Sequence, residues 1–135
     1  MNTTVKRGHW KLLTLPTHRD ARGDLAVLEH LPFTIQRAFS LTNVPVGFTR
    51  ANHAHPSQEQ VIVALAGSFE VQVDNGKTRE THQLIDLNAA LYIEPNVWVS
   101  LAHFSKGAIC LVLSSEPYDP RDYFTDYDAF RRQVA

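Results

Sequence analysis

Two histidines separated by one residue, His53 and His55 in "RANHAH" (residues 50–55), stand just ahead of the apolar run "QVIVALAG". In an extended strand residues i and i+2 share a face, so both imidazoles project to one side and Ala54 to the other. Such a pair serves three purposes. An imidazole with a pKa near 6.5 takes and returns a proton near neutrality. Two ring nitrogens begin a metal site. Two polar rings also simply decorate a wall of the fold. Packing accounts for one histidine there but gives little reason for two beside Arg50, so proton transfer is the reading that fits best.

Two arginines extend the constellation. Arg37 lies inside the otherwise apolar "IQRAFSL", where a buried charge is costly unless paired. It is either salt-bridged, with Glu29 as the partner, or aimed at an anionic ligand. The planar guanidinium fork matches phosphate oxygens, and Arg50 beside the histidines leans towards the same kind of ligand.

The elements that must position these groups are short and β-like. "HWKLLTL", "DLAVLEH", "FTIQRAFSLTNV", "QVIVALAG", "SFEVQV", "THQLIDL", "AALYIEP", "VWVSLAHF" and "AICLVLSS" read as strands by branched or aromatic content or by alternation. Breaks rich in Gly, Pro, Asn and Asp separate them. Within "VDNGK", Asn75–Gly76 predicts a hairpin closed by a type I′ turn. The one helix signal is the tail "YDAFRRQ", capped by Asp126, with Tyr127, Phe130 and Val134 on one face. Regular strand spacing without βαβ alternation predicts one all-β domain over residues 1–135, an antiparallel sandwich or barrel. Trp98, just after "EPN", either stacks on a nucleobase or fills the barrel mouth.

Composition narrows the function classes. The chain has 135 residues, 44% hydrophobic and 20% charged, with a formal net charge of −1. No basic cluster marks a nucleic-acid or anionic-membrane partner. No apolar run approaches the roughly 20 residues that span a bilayer, and the N-terminus lacks a signal-peptide core, so the cytoplasm is the expected location. The single Cys110 falls in "AICLVL" and is expected to be buried.

The spacing Gly47, His53, His55, Gln60, Gly67 resembles the first motif of the cupin superfamily, small jelly-roll barrels. In metal-binding cupins the Gln60 position is usually glutamate and a later histidine adds a further ligand. Here Val99 and Ser100 stand where that histidine would be. Glu59, next to the ligand position, has the wrong strand parity, which leaves His103 as an outside candidate. A catalytic metal generally needs three protein ligands and the matched positions supply two, so no metal or other cofactor is expected.

The ordered set "RGDLAVLEH", "LPFTIQRAF", "RANHAHPSQEQVIVALAGSFEVQVDNGK", "ALYIEPNVW" and "YDPRDYFTDYDAF" resembles the cupin sugar 3,4-ketoisomerases, from about Arg22 to Phe130. The resemblance implies a metal-independent isomerase that moves a keto group from C4 to C3 of a dTDP-4-keto-6-deoxyhexose, through an enediol or enediolate, in deoxyamino-sugar biosynthesis. It implies His53 as base, His55 as partner or second proton carrier, and Arg50 at the phosphates, with Arg37, Gln60 and Trp98 in the substrate-binding set. It also implies a homodimer with exchanged N-terminal strands. Epimerisation of a similar nucleotide sugar and non-catalytic sugar binding are the alternatives.

The departures concern the acid. A tyrosine is common in that family just after the Arg37 position, where this chain has Phe39 and Ser40, and Ser40 is a poor replacement by strand parity. Ala51 replaces a glycine, which predicts a backbone without positive φ there. Pro56 replaces a lysine, and Val99 a histidine that often follows the tryptophan. Product stereochemistry at C4, the acid and the nucleotide therefore stay open.

Overall fold

The β-rich runs assemble into two antiparallel sheets packed face to face. The computed structural model describes residues 8–87 and 89–135. One sheet has the order β1 (Trp10–Thr14), β9 (Ala89–Ile93), β6 (Gln60–Ala66), β11 (Ile109–Ser114), β4 (Arg37–Thr42). The other has the order β5 (Arg50–Ala54), β10 (Trp98–Ala102), β7 (Ser68–Asp74), β8 (Arg79–Ile85). A separate hairpin pairs β2 (Thr17–Asp20) with β3 (Gly23–Ala26). This is the expected all-β cupin jelly roll, and the tail supplies the short helix α1 (Tyr127–Val134), whose N-cap Asp126 accepts from the Asp128 amide.

Alternation in the strands builds the core between the sheets. Ile62, Ala64, Val71, Val73, Val99, Leu101, Cys110 and Val112 all lie in one buried cluster. On β6 the alternate residues Val61 and Val63 belong to a second cluster on the outer face, with Leu15, Leu113 and, partly buried, Leu28, Leu31 and Phe33. Strand β6 is thus covered on both faces, which explains why "QVIVALA" reads as a continuous apolar run.

Two local expectations need correction. The β7–β8 hairpin exists, but Asp74 pairs with Arg79 across a four-residue connection and only Gly76 has positive φ, at 88°. Asn75 Oδ1 accepts from the Lys77 and Thr78 amides, and this side-chain-closed turn replaces the two-residue type I′ form. Ala51 does have positive φ, at 66°, as does Asn52 at 58°.

Candidate active site

The β5–β10 pairing sets the site. Val99 pairs with His53, Ser100 with Ala51 and Leu101 with Arg50, so the ladder skips Asn52 as an extra residue. Val99 and Leu101 are 4% and 2% exposed and point between the sheets. Their opposite residues, His53 and Arg50, share that face. In a regular strand residues three apart would point oppositely, so this bulge is what brings the arginine to the histidine's wall. Asn52 turns outward, where it accepts from Ser100 Oγ and donates to Thr49 Oγ1.

A cavity of about 370 Å³ opens here between the two sheets. His53, Arg50, Val99 and Leu101 line one wall; Arg37, Phe39, Leu41, Gln60, Ile62 and Val112 line the facing wall. The tail adds Tyr118 and Tyr123. Arg37 does not pair with Glu29, whose carboxylate lies 3.7 Å from His30. Its guanidinium instead sits over the rings of Phe39 (4.7 Å) and Tyr118 (5.4 Å), and its buried Nε has no hydrogen-bond partner. Among the described residues neither Arg37 nor Arg50 has a carboxylate within salt-bridge distance, which leaves two cations facing one cavity.

His55 is 5% exposed and tightly held. Its Nδ1 lies 2.7 Å from the Asp122 backbone carbonyl, an acceptor only, so Nδ1 carries the proton. Its Nε2 then accepts from the Gln60 amide nitrogen, 3.3 Å away. Burial holds the His55 imidazole below its ordinary pKa, against the pull of Asp122. The His53 ring lies 4.6 Å from the His55 ring. Burial, then the neighbouring His55 and Arg37, lower its pKa to about 4, opposed by a hydrogen bond with the Ala51 backbone. His53 is therefore neutral at pH 7, with one ring nitrogen left to receive a proton.

The structure thus brings together His53, His55, Arg37, Arg50 and Gln60. Trp98 does not join them. It pairs with Ala54 on the face opposite Val99, and its ring packs on Tyr127 (5.3 Å) and Phe130 (5.8 Å) beneath α1. Strand parity excludes it from the cavity. Ser40 is exposed on the outer face of β4, and Glu59 turns away to bond the Tyr92 hydroxyl. His103 pairs with Glu70 at 2.6 Å, and no group of three or more His, Cys, Asp or Glu side chains poised for a metal occurs among the described residues.

Sequence reasoning missed Tyr123. Its ring stands edge-on to both His53 (5.1 Å) and His55 (4.5 Å). The tail is stitched to the histidine strand on either side of it. Ala54 and Phe124 exchange both backbone hydrogen bonds, and the Asp122 carboxylate accepts from the Ser57 and Gln58 amides. The acid–aromatic pattern "DPRDYF" carried the signal, but no local periodicity ties it to residue 54.

Comparison with known proteins shows the family. The family model described as "FdtA: WxcM-like, C-terminal" matches residues 8–135. The TDP-4-oxo-6-deoxy-alpha-D-glucose-3,4-oxoisomerase of Aneurinibacillus thermoaerophilus is 35% identical over 119 residues, 86% of each chain. A crystal structure of a 3,4-ketoisomerase from Helicobacter canadensis superposes with a TM-score of 0.88 at 36% identity, covering 93% of this chain and 96% of that one. QdtA, a sugar 3,4-ketoisomerase from Thermoanaerobacterium thermosaccharolyticum in complex with TDP, gives 0.89 at 32% identity, covering 93% of each.

Proposed function

The chain belongs to the FdtA, WxcM-like family, and on that footing we propose that it is a nucleotide-sugar 3,4-ketoisomerase acting on a dTDP-4-keto-6-deoxyhexose. The observation that carries this is His53, held neutral on a cavity wall between two arginines that lack carboxylate partners.

Arg37 and Arg50 suit the diphosphate, and the apolar residues between them suit the deoxy sugar. The C4 carbonyl acidifies the hydrogen on C3. His53 removes it, which leaves an enediol or enediolate, and a proton delivered to C4 yields the 3-ketone. Gln60 and the Asp122 carbonyl hold His55 as the Nδ1–H tautomer against His53, so it orients and desolvates the base. No step in this scheme uses a metal or another cofactor.

The chain works as one domain in this reading, and as a homodimer. Hairpin β2–β3 joins neither large sheet and exposes Leu25 at 61%, whereas a lone hairpin is marginal in water and needs a cover. Strand β1 pairs with β9 of its own chain, so the hairpin is the segment available for exchange with a second copy. No helix among the described residues is long and apolar enough to cross a membrane, in keeping with a cytoplasmic enzyme.

Proton NMR with dTDP-4-keto-6-deoxyglucose in D₂O tests the activity. A 3-keto product carrying solvent deuterium is expected. Exchange at C3 or C5 without keto migration would indicate an epimerase, and dTDP binding with neither exchange nor product would indicate a sugar-binding protein.

A further inference from the structure

Asp122 is an acid that the fold buries, at 7% exposed. A buried charge is costly unless the structure gives it partners. Among the described residues its ion-pair partner is His55, whose Nδ1 lies 3.8 Å from Oδ2, and not a lysine or arginine. Arg121, next in sequence, is committed to Asp119.

We infer that Asp122 is the positioning residue of His55, fixing the ring's tautomer through its main chain and balancing the ring's charge through its side chain. Three contacts of this one residue support the assignment. Its Oδ1 accepts from the Ser57 amide at 3.0 Å and its Oδ2 from the Gln58 amide at 3.2 Å. The carboxylate thus grips the chain just beyond His55, and that grip seats the Asp122 carbonyl 2.7 Å from His55 Nδ1. Ala54 and Phe124 exchange both backbone hydrogen bonds, which holds the same strip of tail from the other side.

The carbonyl can only accept, so Nδ1 keeps its hydrogen in both charge states of the ring. Any proton that His55 gains or gives therefore passes through Nε2. That nitrogen lies on the side of Gln60, a residue of the cavity wall. When Nε2 is protonated, the imidazolium has Asp122 as counter-charge against burial and the positive charge of Arg37. His53 and Tyr123 are the other titratable rings that touch it. Glu116 faces Asp122 from the tail, and burial together with Asp122, Asp119 and Glu59 holds it above its ordinary pKa.

This inference rests on the isomerase reading, and its test separates the two. Nitrogen-15 NMR of the wild-type protein should show His55 as the Nδ1–H tautomer, with Nε2 alone titrating. Asp122→Asn keeps the shape of the side chain and removes its charge. His55 should then titrate at lower pH, and kcat should fall about 10-fold or more through loss of the orienting acid. Affinity for dTDP should stay within about twofold of wild type, since Asp122 is absent from the cavity lining. Asp122→Glu restores the charge and should bring the His55 titration back towards wild type. The wild-type tautomer and the Glu variant decide the matter even where Asp122→Asn fails to fold. An Nε2–H tautomer in the wild type, or a His55 titration that ignores the charge at position 122, would overturn the role of Asp122. Undiminished C3 exchange in His53→Asn would overturn the base assignment instead.

Discussion

Arg50 and His53 are three residues apart on one strand yet face the same cavity, because Asn52 is an extra residue that β10 does not pair. The site depends on that bulge, and the bulge depends on left-handed backbone at Ala51 and Asn52.

A non-glycine residue in the left-handed region costs about 1 kcal/mol. Ala51→Gly should therefore leave stability unchanged or slightly improved, with activity retained. Ala51→Val should cost about 2 kcal/mol or more and cut kcat, since a branched side chain resists positive φ and favours a regular strand that turns Arg50 away. Urea melts paired with steady-state kinetics check both. Equal behaviour of the Gly and Val variants would refute the requirement.

As the proposed base, His53 should set the acid limit of catalysis. With its pKa at about 4, kcat/KM should hold through pH 5 and fall only near pH 4, well below an ordinary imidazole. The bound diphosphate offsets Arg37, one of the causes of the shift, so the limb of kcat should lie higher than that of kcat/KM. The same shift makes stability depend on pH. Between pH 6.5 and about 4 the unfolded chain binds a proton that folded His53 refuses. Stability present above pH 6.5 is lost as pH falls through that window, by up to about 3 kcal/mol. Imidazole NMR titration and denaturation at pH 7 and 4.5 measure the two effects. A kcat/KM limb at pH 6.5 would contradict the assignment.

Arg37 tests the anion reading. Its unpartnered Nε and lack of a salt bridge indicate that nothing in the fold itself consumes its charge. Arg37→Gln should weaken dTDP binding about 10- to 100-fold and raise the His53 pKa by removing a nearby cation. Calorimetry and the histidine titration read these independently. Unchanged dTDP affinity would return Arg37 to a packing role on Phe39 and Tyr118.

Most strands, the capped tail helix, the buried Cys110 and five of the proposed site residues were legible because each rests on local alternation or spacing, whereas β2 (Thr17–Asp20) lies outside the runs that read as strands. His53 and His55 follow from their i, i+2 relation, and Gln60 from its place at the head of an apolar run. What was hidden depends on register. Trp98 reads as a site residue until Val99, its neighbour, is seen to take the inward position. The bulge at Asn52 is invisible without its partner strand, and an alanine in place of glycine argued against it. Tyr123 reaches the histidines through a contact spanning 67 residues, from Asp122 to His55, that no periodicity encodes.

The product's configuration at C4 follows from which wall carries the proton donors. His53 and Tyr123 stand on one side of the cavity, with His55 behind them. The facing wall contributes Arg37, Gln60 and apolar side chains, and Tyr118, over Arg37, is 64% exposed at the rim. A hydrogen taken from C3 by His53 therefore returns to C4 on the same face of the ring. In a gluco sugar the hydrogens on C3 and C4 lie on opposite faces, and in a galacto sugar on the same face, so the 3-keto product should be galacto at C4. In ordinary water it should show a small H4–H5 coupling. With one imidazole proposed for both transfers, substrate deuterated at C3 should pass part of its label to C4. A gluco product with a large H4–H5 coupling would require a donor on the opposite wall and would rule out single-sided transfer.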